Sequence, residues 1–165
     1  MDFDTRFDQT AHKNKSKQRD QRIERVIPIK ADMLKQLQVE DKTFKLDGEL
    51  IDKLRIVGKI ANQEFNNNLT TLTIEDATGK VEIVALKKYS EDKPECLANV
   101  AIEVGILVEC VFNATVYETK GQAKQQFIGI HFNQIKDSNQ QRYHELQVEV
   151  ARRFRTGETF KQFTA

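Results

Sequence analysis

Aromatic and basic side chains are grouped at two places in the sequence where loops are predicted. Aromatic rings stack on nucleobases and ammonium groups contact phosphates, so such a group is typical of a surface that binds single-stranded nucleic acid. Each of these residues taken alone is more often a solvated lysine or a core aromatic, but their grouping favours a binding role. The first group is Phe65, Lys87, Lys88 and Tyr89, and the second is Tyr117, Lys120 and Lys124.

The sequence carries no recognisable catalytic or metal-binding pattern. Glu75 and Asp76 are adjacent carboxylates, but neighbouring side chains on a strand point to opposite faces, and Asp76 is better explained as the first residue of a turn. Patterns of the GxSxG, P-loop and HExxH types do not occur. Cys96 and Cys110 form no CxxC pair, and the three histidines are scattered. We therefore expect no enzyme, no metal and no cofactor, and we expect reduced thiols in an intracellular protein.

The composition is that of one globular domain with extensions. The 165 residues carry a formal net charge of +1, so no overall basic field attracts nucleic acid, although a local groove can still be basic. No apolar run approaches the ~20 residues that a membrane span needs, and the opening MDFDTRFDQT lacks a signal-peptide core. We expect no membrane partner. Residues 1–22 show no apolar period and are predicted to form a disordered arm.

Three predicted strands make up the centre of the chain. They cover residues 54–65, 69–75 and 81–86. Gly58 lies inside the first strand, which suggests a bulge or a sharp bend there. In the second strand Leu72 and Ile74 are predicted to face inward, and a tight turn over residues 76–79 joins the second strand to the third.

Two longer predicted strands and a short helix complete the domain. The helix covers residues 91–100, and the strands cover 103–117 and 125–135 on either side of a turn at Lys120-Gly121-Gln122. In the last strand we expect two alternating sets, Phe127, Gly129 and His131 against Ile128, Ile130 and Phe132. A long first strand with an internal glycine, followed by a tight hairpin, predicts an all-β fold with flanking helices. We expect a five-stranded OB-fold Greek-key barrel over residues 23–137, followed by a C-terminal amphipathic α-helix.

That last helix is predicted over residues 138–155, with a flexible tail over 156–165. Its apolar residues recur every three or four positions and form a narrow seam of the kind that packs helices together. The seam residues are Tyr143, Leu146, Val150, Ala151 and Phe154. A helix of about sixteen residues is marginal alone in water, so the seam needs a partner surface. From the residues alone, this partner surface is equally well the helix's own barrel or a second chain.

Several short motifs occur in a fixed order along the chain. An extended Arg25–Ile29 segment precedes a helical Met33–Leu37 segment, and Leu54–Ile60 begins the first barrel strand. Ile74–Gly79 makes a hairpin, and His144–Val148 lies in the last helix. Together these motifs resemble the middle subunit of replication protein A over about residues 25–154, and their order and spacing carry the specificity of the resemblance.

The resemblance implies a non-catalytic subunit of a heterotrimeric complex that binds single-stranded DNA in the nucleus, for DNA replication, repair or telomere maintenance. In that family the C-terminal helix joins helices of the large and small subunits in a three-helix bundle, which assigns the seam to partner binding. A stacking aromatic usually ends the third barrel strand, and Leu86 occupies that position here. The resemblance therefore adds Leu86 to the candidate DNA-binding residues and implies weak direct contact with the strand.

Two other functions stay open. Paralogous trimers of the same family serve telomeres and telomerase, and the lack of stacking aromatics suits a telomere or telomerase accessory that recruits other proteins. A self-contained OB module that binds RNA or tRNA is the third interpretation. The partners that co-purify with the protein distinguish the first two, whereas monomeric behaviour with tight RNA binding would favour the third.

Overall fold

Nine strands, two short 3-10 helices and one α-helix make up the described part of the fold. The computed structural model describes residues 25–88 and 92–157, so the predicted arm over 1–22, Tyr89 and the tail beyond Gly157 lie outside the described residues. The strands are β1 (Val26–Pro28), β2 (Gln38–Glu40), β3 (Thr43–Leu46), β4 (Glu49–Leu50), β5 (Lys53–Asn66), β6 (Leu69–Asp76), β7 (Gly79–Leu86), β8 (Leu107–Thr119) and β9 (Gln122–Gln134). The 3-10 helices are Ala31–Gln36 and Glu95–Leu97, and the α-helix, α1, is Ser138–Thr156.

Five strands close on themselves in the order expected of the predicted barrel. The sheet runs β5-β6-β7-β9-β8, and β8 pairs again with β5. β5 serves both neighbours because residues 54–59 pair with β8 and residues 59–66 pair with β6. β7 and β9 run parallel and are joined at Val84 and Ile128. This order is that of an OB-fold Greek-key barrel, so the predicted fold class is confirmed.

Gly58 lies where β5 passes from one partner strand to the other. A Cβ atom at this position would stand 2.5 Å from the carbonyl oxygen of Glu75, far inside van der Waals contact. The register shift of the β5–β6 pair lies between Ile60 and Asn62. The extra residue of this bulge is Ala61, three residues beyond Gly58 where the sequence suggests a bulge or bend, and the glycine instead permits close approach of the two backbones.

A bulge in β9 changes which of its residues face the core. The register between β8 and β9 shifts between Val111 and Phe112, which leaves Ile130 as an extra residue. Because one extra residue reverses the alternation beyond it, Phe127 and Phe132 both point inward, and their predicted placement on opposite faces is wrong. Phe132 is fully buried, and the Phe127 ring meets the Phe112 ring edge-on with centroids 5.5 Å apart.

The turn between β6 and β7 is tied to the first 3-10 helix by Asp76. Its Oδ1 atom accepts hydrogen bonds from the N–H groups of Thr78 at 2.8 Å and Gly79 at 3.1 Å, which is the turn role that the sequence predicts. Its Oδ2 atom accepts from the N–H of Ala31 at 2.8 Å. Ala31 and Met33 are buried in the barrel core, so Asp76 fixes the segment that covers this part of the core.

The helix predicted over residues 91–100 is wrong in extent. Among the described residues of this stretch only Glu95–Leu97 is helical, and it is a 3-10 turn. Leu97 and Val100 are nevertheless fully buried in the core. Two apolar residues three positions apart suit the three residues per turn of a 3-10 helix, so the chain buries both without a longer α-helix.

α1 follows the barrel directly and has well-defined ends. The Asp137 side chain caps its N-terminus by accepting a hydrogen bond from the N–H of Asn139 at 2.9 Å. Gly157 ends it in the left-handed conformation, with φ of 75°, and donates its N–H to the carbonyl groups of Arg153 and Phe154. The amphipathic helix that the sequence predicts is therefore present.

Candidate partner and nucleic-acid interfaces

One side of α1 packs on the protein's own barrel. The buried residues of the helix are His144, 4% exposed, and Val148, 2% exposed. The His144 imidazole donates a hydrogen bond from Nε2 to the carbonyl oxygen of Ile29 at 3.1 Å, since a carbonyl can only accept. The Arg55 guanidinium on β5 donates a hydrogen bond to the side-chain oxygen of Gln147. These contacts anchor the helix to the segment after β1 and to β5.

The His144 imidazole lies in an environment that favours its neutral form. Its Nδ1 atom is buried without a hydrogen-bond partner among the described residues. Burial lowers the pKa of the imidazole from its ordinary value of 6.5, because a charged ring would lose its hydration there. Protonation of His144 therefore works against the packing of α1.

The end of α1 is held by an ion pair with the small sheet formed by β2, β3 and β4. The Arg155 guanidinium lies 3.3 Å from the Asp47 carboxylate, and the Arg155 side chain is only 4% exposed. Asp47 has a positive φ of 51° in the turn between β3 and β4. With contacts at His144 and Arg155, the rotation of α1 about its own axis is fixed over most of its length.

This rotation leaves the predicted seam turned away from the barrel. The exposed fractions are 64% for Tyr143, 62% for Leu146, 56% for Val150 and 68% for Phe154. Ala151 is half-buried at the edge of the seam. The sequence left the helix's own barrel and a second chain open as the surface that covers the seam. The helix does pack on its own barrel, but through the side that carries His144 and Val148, so the barrel does not cover the seam.

The packed side was visible in the sequence as a second stripe. His144, Val148, Ala151 and Arg155 recur at intervals of four, three and four residues, which is also helical spacing. Because two of the four are a histidine and an arginine, a search for apolar residues passes over this stripe. Arg55, which contacts Gln147 next to this stripe from β5, carries no signal in the sequence.

An open groove runs between α1 and β1. Its volume is about 800 Å³, and Val26 on its β1 side is 44% exposed. Arg55 Nε and Arg155 Nη1 are buried without hydrogen-bond partners among the described residues. Beside Val26 and Pro28 of β1, the groove is lined by all five seam residues and by Arg25, Arg55 and Arg155. The exposed apolar seam therefore continues into a concave surface with arginines at its edge.

The outward face of β6 and β7 is poor in stacking groups. Cross-strand partners share a face of a sheet, and the partners on this face are Leu69 with Leu86, Thr71 with Val84, Thr73 with Glu82 and Glu75 with Lys80. None of these eight residues is aromatic and two are acidic. Leu72 and Ile74 are fully buried on the opposite face, as predicted.

The first group of candidate DNA-binding residues is divided between two faces. Phe65 pairs with Thr70, and Thr70 pairs with Ala85; because Thr70 and Ala85 are buried, Phe65 belongs to the inward-facing set and projects beyond the barrel, 66% exposed. Leu86 belongs to the outward face and is 53% exposed. Lys87 is half-buried and Lys88 is exposed, while Tyr89 lies outside the described residues. The structure therefore does not place Phe65 and Leu86 side by side.

The second group is brought together on the β8–β9 hairpin. Tyr117 and Lys124 are direct cross-strand partners, and Lys120 lies in the turn with a positive φ of 53°. β7 and β9 run parallel and meet at Val84 and Ile128. Leu86 lies two residues after this contact on β7, whereas Lys124 lies four residues before it on β9. The two residues therefore lie on opposite sides of the contact, six residues apart along the strands. At about 3.3 Å per residue, roughly 20 Å of sheet separates the two groups. The two groups of candidate residues therefore do not line one pocket.

The described residues contain no group of three or more histidine, cysteine or acidic side chains that could hold a metal ion. Burial raises the pKa of the Cys110 thiol well above its ordinary value of 9.0, which keeps this thiol protonated and unreactive. Over the same residues, no helix is long and apolar enough to cross a membrane.

Comparison with known proteins identifies similar folds. No protein-family model and no curated protein matches the sequence. Among solved structures, the chain is similar to a chain of a replication protein A heterotrimer bound to single-stranded DNA, with 20% identity, a TM-score of 0.62, and coverage of 79% of this chain and 98% of that one. A chain of yeast replication protein A bound to single-stranded DNA gives 20% identity, a TM-score of 0.61, and coverage of 81% and 94%.

A chain of the Stn1-Ten1 complex of S. pombe is also similar, with 16% identity, a TM-score of 0.57, and coverage of 79% of this chain and 98% of that one. In each case nearly the whole of the other chain is matched, so the likeness extends over the greater part of the described fold. The resemblance to replication protein A that the sequence motifs suggest is therefore confirmed at the level of the fold: this chain has the OB architecture found in replication protein A and in Stn1-Ten1.

Proposed function

We propose that this chain is a non-catalytic subunit of a heterotrimeric, replication protein A-like complex that binds single-stranded DNA, and that it assembles through the seam of α1. One observation carries the proposal. α1 is already packed on the barrel through His144 and Val148, yet Leu146 and Val150 remain 62% and 56% exposed. A helix held in this orientation exposes an apolar stripe on which another chain can pack without any rearrangement of the helix.

The seam is large enough to matter energetically. Burying a fully exposed side chain of this size contributes about 1.5–3 kcal/mol. The four exposed seam residues are 56–68% exposed, so their burial supplies roughly 4–8 kcal/mol before the costs of association. Their spacing of three and four residues favours partner helices, which pack along such stripes. We infer that helices of a large and a small OB-fold subunit lie on the seam, in a three-helix bundle.

The groove beside the seam supports the same arrangement. An apolar surface that continues from α1 to Val26 of β1 offers a partner helix contacts on two elements. Arg25 is exposed and lines the same groove, so a carbonyl or carboxylate of the partner would find an N–H donor there.

Direct contact of this subunit with DNA is expected to be weak. The strand face of β6 and β7 offers no ring on which a base can stack, and Tyr117 with Lys124 stands roughly 20 Å away from Leu86. A DNA strand that follows the barrel from Leu86 to Tyr117 would receive only a few contacts from these two groups of residues. The complex would act in the nucleus, in DNA replication, repair or telomere maintenance.

The ring-free strand face, which carries two glutamates and one lysine, also favours a second candidate function. Glu75 and Glu82 point outward where a strong DNA-binding subunit would carry aromatic or basic side chains, and the fold is also that of a chain in the Stn1-Ten1 complex. On this second proposal the chain is an accessory of telomeres or telomerase that recruits other proteins and contacts little DNA.

The composition of the native complex tests the proposal. The intact chain, tagged in its own cells, is expected to co-purify in equal amounts with two further OB-fold chains, and the assembly is expected to bind an oligo-dT strand. Replication proteins among the partners support the first function, and telomerase or telomere proteins support the second. A chain that purifies as a monomer would contradict both.

A further inference from the structure

A second cavity lies beside Leu86 on the outward side of the barrel. Its volume is about 390 Å³, and it is an open depression bordered by the end of β7, the bulge of β9 and the second 3-10 helix. Its lining consists of Leu86, Lys88, Glu95, Cys96, Gly129, Ile130 and His131. We propose that this cavity binds one nucleobase of a single-stranded DNA, with the His131 imidazole as the stacking ring. The inference rests on the proposed function and specifies where the strand is held.

The bulge in β9 creates the cavity wall. The extra residue, Ile130, interrupts the β8–β9 register and is 37% exposed. A regular strand would place Gly129 and His131 on one face, but the pairing sets Gly129 opposite the fully buried Phe112 and His131 opposite Val111. The bulge therefore turns His131 to the outward side while the strand continues into the core at Phe132.

Gly129 is required for this arrangement. A Cβ atom on Gly129 would stand 2.5 Å from Cε2 of the Phe132 ring, so any larger residue would push that ring or β9 out of place. With glycine there, the aromatic ring fills the core and the opposite side of the strand stays open. The opening is therefore built into the backbone and does not depend on a side-chain rotation.

The lining has the chemistry of a base site. Single-stranded nucleic acids are held by stacking bases on aromatic side chains, among which histidine is a regular choice. Leu86 and Ile130 supply apolar walls, and His131 supplies the ring that the outward face of β6 and β7 lacks. Ligand sites are typically concave spaces of about 300–1,000 Å³, and the volume of this cavity lies near the lower end of that range, with polar and apolar walls in similar proportion.

A lysine at the cavity edge suits the phosphate that accompanies the base. The Lys88 ammonium lies 3.7 Å from the Glu95 carboxylate, and the two side chains are 75% and 79% exposed. Such an exposed ion pair contributes little to stability, so the ammonium can exchange the carboxylate for a phosphate at small cost. Base and phosphate contacts are then supplied within one site.

Photocrosslinking tests the cavity directly. The full-length chain is mixed with a 20-nucleotide oligo-dT that contains 5-iodouracil, irradiated, and mapped by mass spectrometry. We expect crosslinks at His131 and their loss in His131→Ala, together with about fivefold to tenfold weaker binding of the same oligonucleotide, near the lower end of what one stacked base contributes. His131→Tyr keeps a ring and is expected to retain both the crosslink at this position and the affinity.

Asn133→Ala is the matched control. Asn133 lies on the same strand, two residues beyond His131 and on the same face, and it is exposed, but it does not line the cavity. It is expected to leave binding and crosslinks unchanged. Equal affinities and crosslinks in wild type and His131→Ala, crosslinks confined to Tyr117 and Lys124, or no crosslink anywhere on the chain would overturn the cavity as a base site. Assembly through the seam is measured separately, so its success or failure does not depend on these results.

Discussion

The imidazole of His144 donates a hydrogen bond to the carbonyl oxygen of Ile29, 115 residues away in the sequence. This bond joins the last element of the fold to the first part of the described chain. It also determines which side of α1 packs against the barrel and which side remains exposed to another molecule. The stability of this contact should therefore govern how the seam is presented.

The first prediction concerns pH. Because the pKa of His144 is lowered in the folded state, the unfolded chain binds more protons at this position once the pH falls below 6.5. The contribution of His144 to stability is fully present above its unfolded pKa of 6.5 and is lost as the pH falls through that value toward the lower folded pKa. Urea unfolding at pH 7.5 and 5.5 is expected to show lower stability at pH 5.5.

The variant His144→Gln isolates this effect. Glutamine keeps an N–H donor near the position of Nε2 but has no titration in this range. The stability difference between the two pH values is expected to be smaller in the variant than in wild type. An identical pH response in both proteins would show that another group is responsible.

The second prediction separates the two sides of α1. Val148→Ala removes buried methyl groups and is expected to destabilise the isolated chain by about 1.5–3 kcal/mol. Leu146→Ala changes a side chain that is 62% exposed, and it is expected to change stability by no more than about 0.5 kcal/mol. Both values come from chemical denaturation. A larger loss for Leu146→Ala than for Val148→Ala would mean that the helix packs with the seam inward.

The third prediction concerns the junction made by Asp76. Asp76→Ala removes hydrogen bonds to the turn and to Ala31, and bonds to a charged acceptor are worth more than neutral ones, so a loss of about 2–3 kcal/mol is expected. Glu75→Ala, at the adjacent exposed position, is the control and is expected to change stability by about 0.5 kcal/mol or less. If the two substitutions lowered the melting temperature equally, Asp76 would not stabilise the junction between the turn and the first 3-10 helix.

The fourth prediction concerns the strand crossing at Gly58. Gly58→Ala forces a Cβ atom against the carbonyl oxygen of Glu75, which stands only 2.5 Å from the site, and is expected to cost at least about 2–3 kcal/mol. Gly79→Ala is the control, because its Cβ would meet nothing closer than Ala31 at 3.9 Å. The control is expected to be neutral or slightly stabilising in the same unfolding measurement. A fully stable Gly58→Ala protein would contradict the strand geometry.

The sequence predicts the barrel strands well because apolar and polar side chains alternate along each strand, and this pattern can be recognised from neighbouring residues alone. Leu72 and Ile74 on β6 are buried where a two-residue period places them, and the turn role of Asp76 follows from its residue type. The bulge at Ile130 escaped prediction because one extra residue leaves no compositional mark, and only the pairing partner on β8 reveals it. The short 3-10 turn near Leu97 escaped for a similar reason, since apolar spacing alone does not separate it from an α-helix.

The candidate interfaces were predictable to different degrees. The seam is apparent from helical spacing, but its exposure depends on the polar contacts of His144 and Arg155, which act over long sequence distances. The division of Phe65 and Leu86 between two faces depends on register, and it follows from cross-strand pairing rather than from residue type. His131, which we propose as a base-stacking residue, is not among the candidates predicted from the sequence, because there it appears only as one member of an alternating strand.

The central claim is that the seam of α1 is the surface through which this chain joins a complex. Leu146→Glu together with Val150→Glu places two charges on that surface, whereas Arg152→Glu adds a charge about 200° round the helix from Val150. Both proteins are first shown to unfold like wild type. The direct measurement is co-purification of the large and small subunits with each tagged chain. We predict that neither subunit co-purifies with the Leu146→Glu/Val150→Glu protein. Both subunits are expected to co-purify with the Arg152→Glu protein in the same amounts as with wild type. Unchanged assembly of the double variant would contradict the claim.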